Sequence, residues 1–328
     1  MTTLQLRFDV RAPANAPSSL AEIVGATLDV AEWAETHGFS GCSVSEHHGT
    51  GDGYLASPVP MACAIAARTR RLRISIAALL VPMYDPVKLA EDLVMADQIS
   101  RGRIVTTAGI GYRREEFEMF GVPFADRGKV FDEFLEVLRR AWSGERFEWR
   151  GRTIRVTPGP YSDPTPPLLM GGQSRTAARR AARLGLPYQP ANNDDDIGAF
   201  YRAECAARGT TPALYPPGSG EMVWVAQDPD REWDRIGRYL LHDALTYAGW
   251  QPPWQQGSAM QSRAHDEATL RAEGLYKILT PEDCVAYAKG LGEQGSLLLY
   301  PFCGGTPPDL AWEALELFDR AVRPELGR

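Results

Sequence analysis

The sequence lacks any apolar run near the roughly 20 residues that span a bilayer. Its first residues, MTTLQLRFDVRAP, also lack the basic segment and apolar run of a signal peptide, so we expect a cytoplasmic protein. Positive charge is in deficit as well, with 35 Lys and Arg against 42 Asp and Glu and a net charge of −7. Nucleic acids and anionic membranes attract proteins of the opposite sign. These absences favour a small molecule or another protein as the partner.

Cysteine spacing typical of a zinc site or a disulfide scaffold is also missing. The cysteines are odd in number, widely scattered and without a CxxC pair. We expect them to be buried thiols. They are Cys42, Cys63, Cys205, Cys284 and Cys303.

A glycine-rich turn, which usually follows the first strand of an open dinucleotide-binding sheet, is absent from DVRAPANAPSS. The chain instead repeats a unit of strand then helix, and the first helix opens with the capping-box pattern of Ser19 and Glu22. This period predicts the α/β class and a TIM-type (β/α) eight-stranded barrel, with an open doubly wound sheet as the alternative. The eight strand segments are LQLRFDV, FSGCSVSE, LRISIAALLV, RIVTTAGI, PPLLMGG, LPYQP, EMVWVA and SLLLYPF.

Two segments interrupt the period. Residues 145–167 suit an inserted hairpin or arm, and residues 247–279 are rich in Trp, Gln, Pro and Gly. We expect one domain over residues 1–328, with both insertions over one end of the barrel, where they carry specificity. In the second insertion, Trp250, Trp254 and Met260 could contact a flat or apolar substrate or pack against a partner subunit.

The first candidate site is SEHHG, where the second strand ends. In a barrel, the C-terminal ends of the strands form the active site. Because side chains alternate along a strand, Glu46 and His48 would face one way and His47 the other, which disfavours a shared metal. We therefore expect no metal site. A structural histidine bonded to a carboxylate and a group for acid–base catalysis or cofactor contact both stay open.

The second candidate site is LLMGGQSRTAARRAARLG, where a buried strand meets a helix. Two glycines permit close approach, and Ser174 at the N-cap leaves the first helical amides pointing outward, near Arg175 and Thr176. This pattern predicts a phosphate site. The alternatives are an ordinary strand-to-helix turn and, for the arginines, a solvated helix face.

The third candidate is the loop that follows RIVTTA. Gly109 and Gly111 could let a flat ligand lie against the backbone. Tyr112, Arg113 and Arg114 could then contact an anionic group on that ligand. The alternative is a loop without a function of its own.

Taken together, these stretches resemble the bacterial luciferase-like monooxygenase family. The shared features are the strand ending in EHH, IAALLVPMYDPVKLAEDLVMADQISRGR, GIGYRREEFEMFGV, PPLLMGGQSRTAARRAARLG and TPEDCVAYAKGLGEQG. The resemblance covers nearly the whole chain and depends on the order and spacing of these features. It implies a TIM-type barrel with an insertion, in agreement with the strand count.

The resemblance also implies a flavin-dependent oxidoreductase. In one branch, reduced FMN and molecular oxygen oxidise a small organic substrate through a flavin hydroperoxide. In a sister branch, the deazaflavin coenzyme F-420 transfers hydride without oxygen. The EHH form is more typical of FMN users, while GGQS…RRAARLG also occurs in deazaflavin users. A flavin-binding barrel without turnover is a third alternative. Since no nicotinamide fingerprint is visible, a separate flavin reductase would supply reduced FMN, and a homodimer is expected.

Individual residues follow from the motif matches. His47 is similar to the family histidine beside the isoalloxazine ring, with Glu46 and His48 as supporting groups. IAALLVP matches a place where the family often has a non-proline cis peptide under the flavin, which predicts one at Ala77–Ala78. The residues implied to contact the cofactor are Ala77, Ala78, Gly109, Gly111, Tyr112, Gly171, Gly172, Gln173, Ser174 and Thr176.

Overall fold

Strands and helices alternate along the chain in a computed structural model that describes residues 2–14, 16–192, 194–215, 221–251, 262–292 and 295–327. The strands are β1 (Thr3–Phe8), β2 (Gly41–Val44), β3 (Arg73–Leu80), β4 (Ile104–Gly109), β5 (Phe147–Trp149), β6 (Arg152–Ile154), β7 (Leu168–Gly171), β8 (Tyr188–Gln189), β9 (Met222–Val225), β10 (Tyr276–Leu279) and β11 (Ser296–Leu299).

The helices follow the strands in the predicted alternation. They are α1 (Leu20–Thr36), α2 (Pro58–Arg68), α3 (Pro86–Ser100), α4 (Arg114–Met119), α5 (Arg127–Trp142), α6 (Arg175–Leu184), α7 (Asp195–Arg208), α8 (Pro229–Trp250), α9 (Glu267–Glu273), α10 (Pro281–Gly290) and α11 (Pro308–Ala321). Within the described ranges, no helix has both the length and the apolar composition needed to cross a membrane.

The chain divides into two compact units. Unit 1 comprises the described residues of Met1–Val44, Thr50–Leu55 and Pro217–Arg328, and unit 2 those of Ser45–Gly49 and Ala56–Pro216.

The strands of unit 1 run parallel in the order β10, β9, β11, β1, β2. Alternate residues of β1 are buried, as a strand with one face on the core requires. The Ser19 and Glu22 capping box is confirmed at the start of α1. This helix buries one face, which includes Ile23, Thr27, Ala31 and Ala34.

A buried charge cluster lies just beyond the carboxyl end of β1 in unit 1. Arg11 is fully buried, and its guanidinium contacts the carboxylates of Asp9 and Asp243. It also lies 3.1 Å from Asp52 Oδ2, which His242 Nε2 reaches at 2.9 Å. Buried ions are stable only when paired, and here one cation serves three aspartates. We call these five residues the Arg11 cluster.

In unit 2, β3, β4, β7 and β8 run parallel, and β5 and β6 form an antiparallel hairpin. The hairpin lies in the segment 145–167, where an inserted hairpin or arm was expected. The predicted cis peptide at Ala77–Ala78 is present, and the register between β3 and β4 shifts between Ala77 and Leu79.

All eight predicted strands are present, and the parallel strands with intervening helices confirm the α/β class. A ninth parallel strand, β10, falls within the segment 247–279 that the sequence had suggested was an insertion, as does α9. β10 is only four residues long, and its burial alternates, with Tyr276 and Ile278 buried. Two predicted substrate contacts in this segment, Trp254 and Met260, lie outside the described residues.

Candidate cofactor and acid–base site

Glu46 and His48 bond to each other in Ser45–Gly49, directly after β2 in the chain. His48 Nε2 lies 2.8 Å from Glu46 Oε1, which also accepts a hydrogen bond from the Tyr84 hydroxyl at 2.6 Å. Glu46 Oε2 accepts the amide of Leu80 at 2.6 Å. Burial and the neighbouring Glu46 carboxylate raise the pKa of Tyr84 well above its ordinary value, so its hydroxyl stays protonated. Glu46 therefore links the side chain of His48 to the backbone of Leu80 at the carboxyl end of β3 through hydrogen bonds.

His47 has a different partner from Glu46 and His48. Its Nδ1 lies 2.9 Å from Glu116 Oε1, and that oxygen also accepts the His48 amide at 3.0 Å and Arg113 Nη1 at 3.0 Å. The side chains of His47 and Glu116 are buried, with 6% and 1% of their residue surfaces exposed. We call Glu116, His47, Arg113 and the His48 amide the Glu116 cluster. His47 thus contacts Glu116, while Glu46 and His48 contact each other, which agrees with the predicted separation of His47 from the other two side chains.

The three donors determine the charge of Glu116. Burial alone raises the pKa of this carboxyl, but the hydrogen bond and charge of His47, the His48 amide and the Arg113 charge outweigh it. The net pKa lies below the ordinary value of 4.5. Glu116 is therefore ionised at neutral pH, and as an ionised carboxylate it only accepts hydrogen bonds.

The other ring nitrogen of His47 faces Tyr112. The Tyr112 hydroxyl lies 3.4 Å from His47 Nε2, and the two rings meet edge to face with centroids 5.7 Å apart. Tyr112 directly follows Gly111, whose φ of +80° is open to glycine at little cost. The structure thus brings one residue of the predicted glycine loop beside the predicted acid–base histidine.

The glycine loop also touches the cis peptide. A Cβ at Gly109 would lie 2.8 Å from the Ala78 Cβ, closer than side chains approach. Packing within the protein therefore requires glycine at this position, whatever the ligand. The structure brings together the predicted residues Ala78 and Gly109.

The predicted phosphate loop lies between β7 and α6. Ser174 is the N-cap of α6, and its hydroxyl accepts the Ala177 amide at 3.1 Å. Ser174 and Thr176 are exposed, and Gly171 to Gln173 are half-buried. The helix start is therefore accessible, and helix N-termini favour anions.

Gln173 is partly engaged elsewhere. Its Oε1 accepts the Asn192 amide at 3.0 Å, and its Nε2 lies 3.4 Å from Asp194 Oδ2. These contacts hold the Gln173 side chain toward the start of α7. Its backbone stays next to the Ser174 cap.

The arginines near these loops divide by position. Arg113 binds the buried side chain of Glu116. Arg175 is the first residue of α6, and its guanidinium lies 5.1 Å from the centroid of the Phe200 ring. Further along α6, Arg180 makes two hydrogen bonds to Asp132 at 2.7 and 3.1 Å. Beyond the first turn of α6, Arg179, Arg180 and Arg183 are thus held in ion pairs with Glu204 or Asp132.

In the part of the chain that the structure describes, no three His, Cys, Asp or Glu side chains are grouped so as to hold a metal ion. The five cysteines are free thiols, of which Cys63 is half-buried and the rest are buried.

The family model for luciferase-like monooxygenases matches residues 6–286. The chain belongs to this family. The predicted resemblance to this family is therefore confirmed.

Curated relatives match the luciferase-like chain in part. The FMNH2-dependent dimethylsulfone monooxygenase of Pseudomonas putida is 28% identical over 248 residues, which are 71% of this chain and 64% of that one. The 4-hydroxyprotoasukamycin monooxygenase of Streptomyces nodosus subsp. asukaensis is 27% identical over 53% of this chain and 51% of its own. The chain thus spans about half to two thirds of the length of the curated relatives it matches.

Solved structures match the luciferase-like chain over nearly its whole length. Monooxygenase RslO1 from Streptomyces bottropensis has a TM-score of 0.77 at 23% identity, covering 99% of this chain and 100% of that one. An F420-dependent secondary alcohol dehydrogenase in complex with an F420-acetone adduct has a TM-score of 0.66 at 15% identity, covering 99% of each chain. At these identities the likeness shows the fold alone, and it confirms the predicted TIM-barrel type.

Sequence reasoning missed two residues of this site. Glu116 stands on the six-residue helix α4, where Glu116 and Phe117 are buried side by side without helical periodicity. Tyr84 follows a single turn after β3. The only available signal for Glu116 was that a buried histidine next to a glycine loop needs a carboxylate partner.

Proposed function

We propose that this luciferase-like protein is a monooxygenase that uses reduced FMN and molecular oxygen to oxidise a small organic substrate. The observation that carries the proposal is the buried imidazole of His47, with Nδ1 held by Glu116 and Nε2 directed at Tyr112. A buried, oriented imidazole can hold or move a proton at a reacting centre. The name of the Pseudomonas putida relative, which specifies FMNH2, supports the choice of cofactor.

The donor chemistry of unit 2 fits a flavin nucleotide. The accessible start of α6 offers the hydroxyls of Ser174 and Thr176 and the charge of Arg175, a set suited to a phosphate. Small residues at β3 and β4 and the half-buried Tyr112 suit a flat ring. The proposed contacts are Ala77, Ala78, Gly109, Gly111 and Tyr112 for the ring, and Gly171, Gly172, Gln173, Ser174 and Thr176 for the phosphate.

When bound, reduced flavin supplies the two electrons with which oxygen is reduced, so that one oxygen atom enters the product and the other becomes water. The residues of the chain provide the surroundings. His47 holds or transfers a proton at Nε2, and the burial of the Glu116 cluster keeps water from its hydrogen bonds. Glu46 and His48 support the neighbouring backbone through Leu80 and Tyr84.

Two alternatives are tested by the same experiment. A deazaflavin-dependent enzyme that transfers hydride without oxygen is supported by the name of the F420-dependent structural neighbour. A flavin-binding barrel without turnover would use the same residues. Because both coenzymes carry a three-ring system and a phosphate, the listed contacts would serve either.

The experiment titrates reduced FMN, riboflavin and reduced F-420 separately into the full-length protein under nitrogen, and then admits oxygen. The proposal expects FMN to bind more tightly than riboflavin, which lacks the phosphate, and oxygen uptake to depend on a substrate. Tight F-420 binding without FMN binding would overturn it in favour of hydride transfer. FMN binding without turnover of any screened substrate would favour the non-catalytic barrel.

A matched pair of serine variants tests the phosphate contact. Ser174→Ala should remove most of the preference for FMN over riboflavin. Ser143→Ala, at the exposed end of α5, should leave that preference unchanged. Equal behaviour of the two variants would contradict the phosphate assignment.

We propose three further properties for the same enzyme. A separate flavin reductase supplies reduced FMN, the protein is a homodimer, and it works in the cytoplasm. Sedimentation equilibrium tests the dimer, since a chain of 36.1 kDa would give twice that mass. Turnover with oxidised FMN and NADH should appear only when a reductase is added.

A further inference from the structure

We propose that Glu116 is a positioning residue that fixes the tautomer of His47, so that Nδ1 keeps its proton and Nε2 is the nitrogen that exchanges one. The proposal deepens the proposed function, because it specifies which atom of His47 would act in the reaction. Its test below does not need flavin, substrate or turnover. It can therefore fail or succeed independently of the monooxygenase assignment.

Three groups meet at Glu116 Oε1. This oxygen accepts the His48 amide and Arg113 Nη1, both at 3.0 Å, and lies 2.9 Å from His47 Nδ1. Two fixed donors already converge on the oxygen, and a backbone amide and a guanidinium cannot act as acceptors. Glu116 is therefore held as a carboxylate, and the proton in the third contact belongs to His47 Nδ1.

The two neighbouring histidines contact their carboxylates through different ring nitrogens. His48 meets Glu46 through Nε2, at 2.8 Å, whereas His47 meets Glu116 through Nδ1. The imidazole of His48 also lies edge to face with Phe120, with centroids 4.7 Å apart. His47 instead directs Nε2 at the Tyr112 hydroxyl, which can itself donate or accept. Of these two histidines, His47 is the one for which the described contacts combine a fixed proton on one nitrogen with a polar neighbour at the other.

Other charged groups surround the pair at short range. Arg113 opposes the charge that an imidazolium would gain, and Glu116 favours it. Among the contacts that the structure describes, the titratable and charged side chains around His47 are Glu116, Arg113, Tyr112, His48, Glu46 and Tyr84. Glu116 contacts the ring as an anion, so loss of its charge should disfavour the protonated imidazole.

The structure permits a variant that removes this charge with little change of shape. All three donors go to Glu116 Oε1, and no donor among the described residues reaches the buried Oε2. In Glu116→Gln, the amide oxygen can take the Oε1 position and keep all three hydrogen bonds. The amide NH2 then takes the Oε2 position, and the negative charge is gone.

The experiment labels the five histidines with 15N in the full-length protein and follows their ring nitrogens by NMR between pH 5 and 9. The signals of His47 are assigned by their loss in His47→Gln. The wild-type protein should show His47 protonated at Nδ1 when neutral. Glu116→Gln should keep that tautomer and lower the titration midpoint of His47 by about 1 or more, because an adjacent opposite charge shifts such equilibria by about 1–3.

The matched control is Glu115→Gln, which removes the same charge from the exposed neighbouring position on α4. It should leave the His47 midpoint and tautomer unchanged. Glu116→Asp, which keeps the charge on a shorter side chain, should restore part of the midpoint. Thermal unfolding of each variant identifies any that fail to fold.

Two results would overturn the proposal. One is a neutral His47 protonated at Nε2 in the wild-type protein. The other is an unchanged midpoint in a folded Glu116→Gln protein. Failure of reduced FMN to bind, measured separately, would count against the proposed function and leave this inference standing.

Discussion

The two buried charge clusters, one in each unit, are built in opposite ways. In the Arg11 cluster a cation lies among three aspartates. In the Glu116 cluster a carboxylate accepts from three donors, one of which is the imidazole of His47. Both satisfy the requirement that buried ions be paired. They differ in the group at the centre and in the groups that surround it.

This difference supports the proposed roles, structural for the Arg11 cluster and functional for the Glu116 cluster. A guanidinium stays charged throughout the working pH range, so the centre of the Arg11 cluster cannot exchange a proton. Each cluster also contains an imidazole, a group that changes its charge near neutral pH. His242 of the Arg11 cluster is 34% exposed and contacts the outer carboxylate of Asp52, whereas His47 is buried and contacts the central carboxylate of Glu116. Burial and charge alone therefore do not distinguish the two clusters, and the position of the imidazole does.

The largest expected effect is on stability in unit 1. Arg11→Met should destabilise the protein by about 3–5 kcal/mol, because it leaves three buried aspartates without their cation. Arg139→Met is the control, since Arg139 is 45% exposed and 3.8 Å from Glu136, and it should change stability by about 0.5 kcal/mol at most. Urea unfolding measures both. Equal midpoints would mean that the Arg11 cluster contributes little to stability.

The next effect is on turnover in unit 2. His47→Ala should lower the rate of substrate oxidation by about 100-fold, the lower range for loss of an acid–base group, while FMN still binds. His48→Ala should lower the rate less and the stability more, because His48 serves Glu46 rather than a reacting centre. The assay requires a substrate, for which aromatic polyketides, aldehydes and sulfonates would be screened. A His47→Ala enzyme with wild-type turnover would contradict the proposed acid–base role of His47.

The variant Gly171→Ala changes the packing of the protein without changing its charge. A Cβ at Gly171 would lie 2.8 Å from Thr107 Cγ2 and 3.2 Å from the Ala108 carbonyl oxygen. Gly171→Ala should therefore cost about 1–3 kcal/mol of stability and weaken FMN binding. In Gly25→Ala the new Cβ meets nothing within 4 Å on α1, and the variant should gain about 0.5–1 kcal/mol. Urea unfolding and FMN titration check both, and a Gly171→Ala protein equal to wild type in each would contradict the account.

The smallest expected effect is the dependence of stability on acid. The pKa of Glu116 and that of Asp52 lie below their ordinary values of 4.5 and 3.8, because hydrogen bonds and charges outweigh burial. A lowered pKa contributes stability that is present above the ordinary value and lost as the pH falls through the folded-state value. Glu116→Gln and Asp52→Asn should each flatten this loss between pH 5 and 2, as measured by urea unfolding.

The pKa of Asp9 is shifted in the opposite direction, so Asp9 serves as a control in the same experiment. Burial raises the pKa of Asp9, so its contribution is present at low pH and lost as the pH rises. Asp9→Asn should therefore not flatten the acid limb. If it did so as strongly as Asp52→Asn, the two aspartates would not have the opposite shifts described above.

Much of the fold could be predicted from the sequence because it depends on local patterns. Apolar periodicity marked eight strands, and the Ser19 and Ser174 caps marked two helix starts. β10 was missed because its four residues lie at the end of the Trp- and Gln-rich segment 247–279, which interrupts the period of the other strands.

The site was less predictable than the fold. His47 could be identified from the EHH motif, but its partner could not, because Glu116 lies 69 positions further along the chain. Two adjacent carboxylates, Glu115 and Glu116, look alike in sequence, and only folding buries one and exposes the other. Contacts between distant segments carry this information, and local patterns do not.

The most direct test of the account is a crystal structure of the protein with FMN bound. The account predicts the flavin ring within hydrogen-bonding reach of His47 Nε2 and the phosphate at Ser174 and Thr176, on unit 2. A flavin bound away from His47, or a phosphate away from the start of α6, would contradict it.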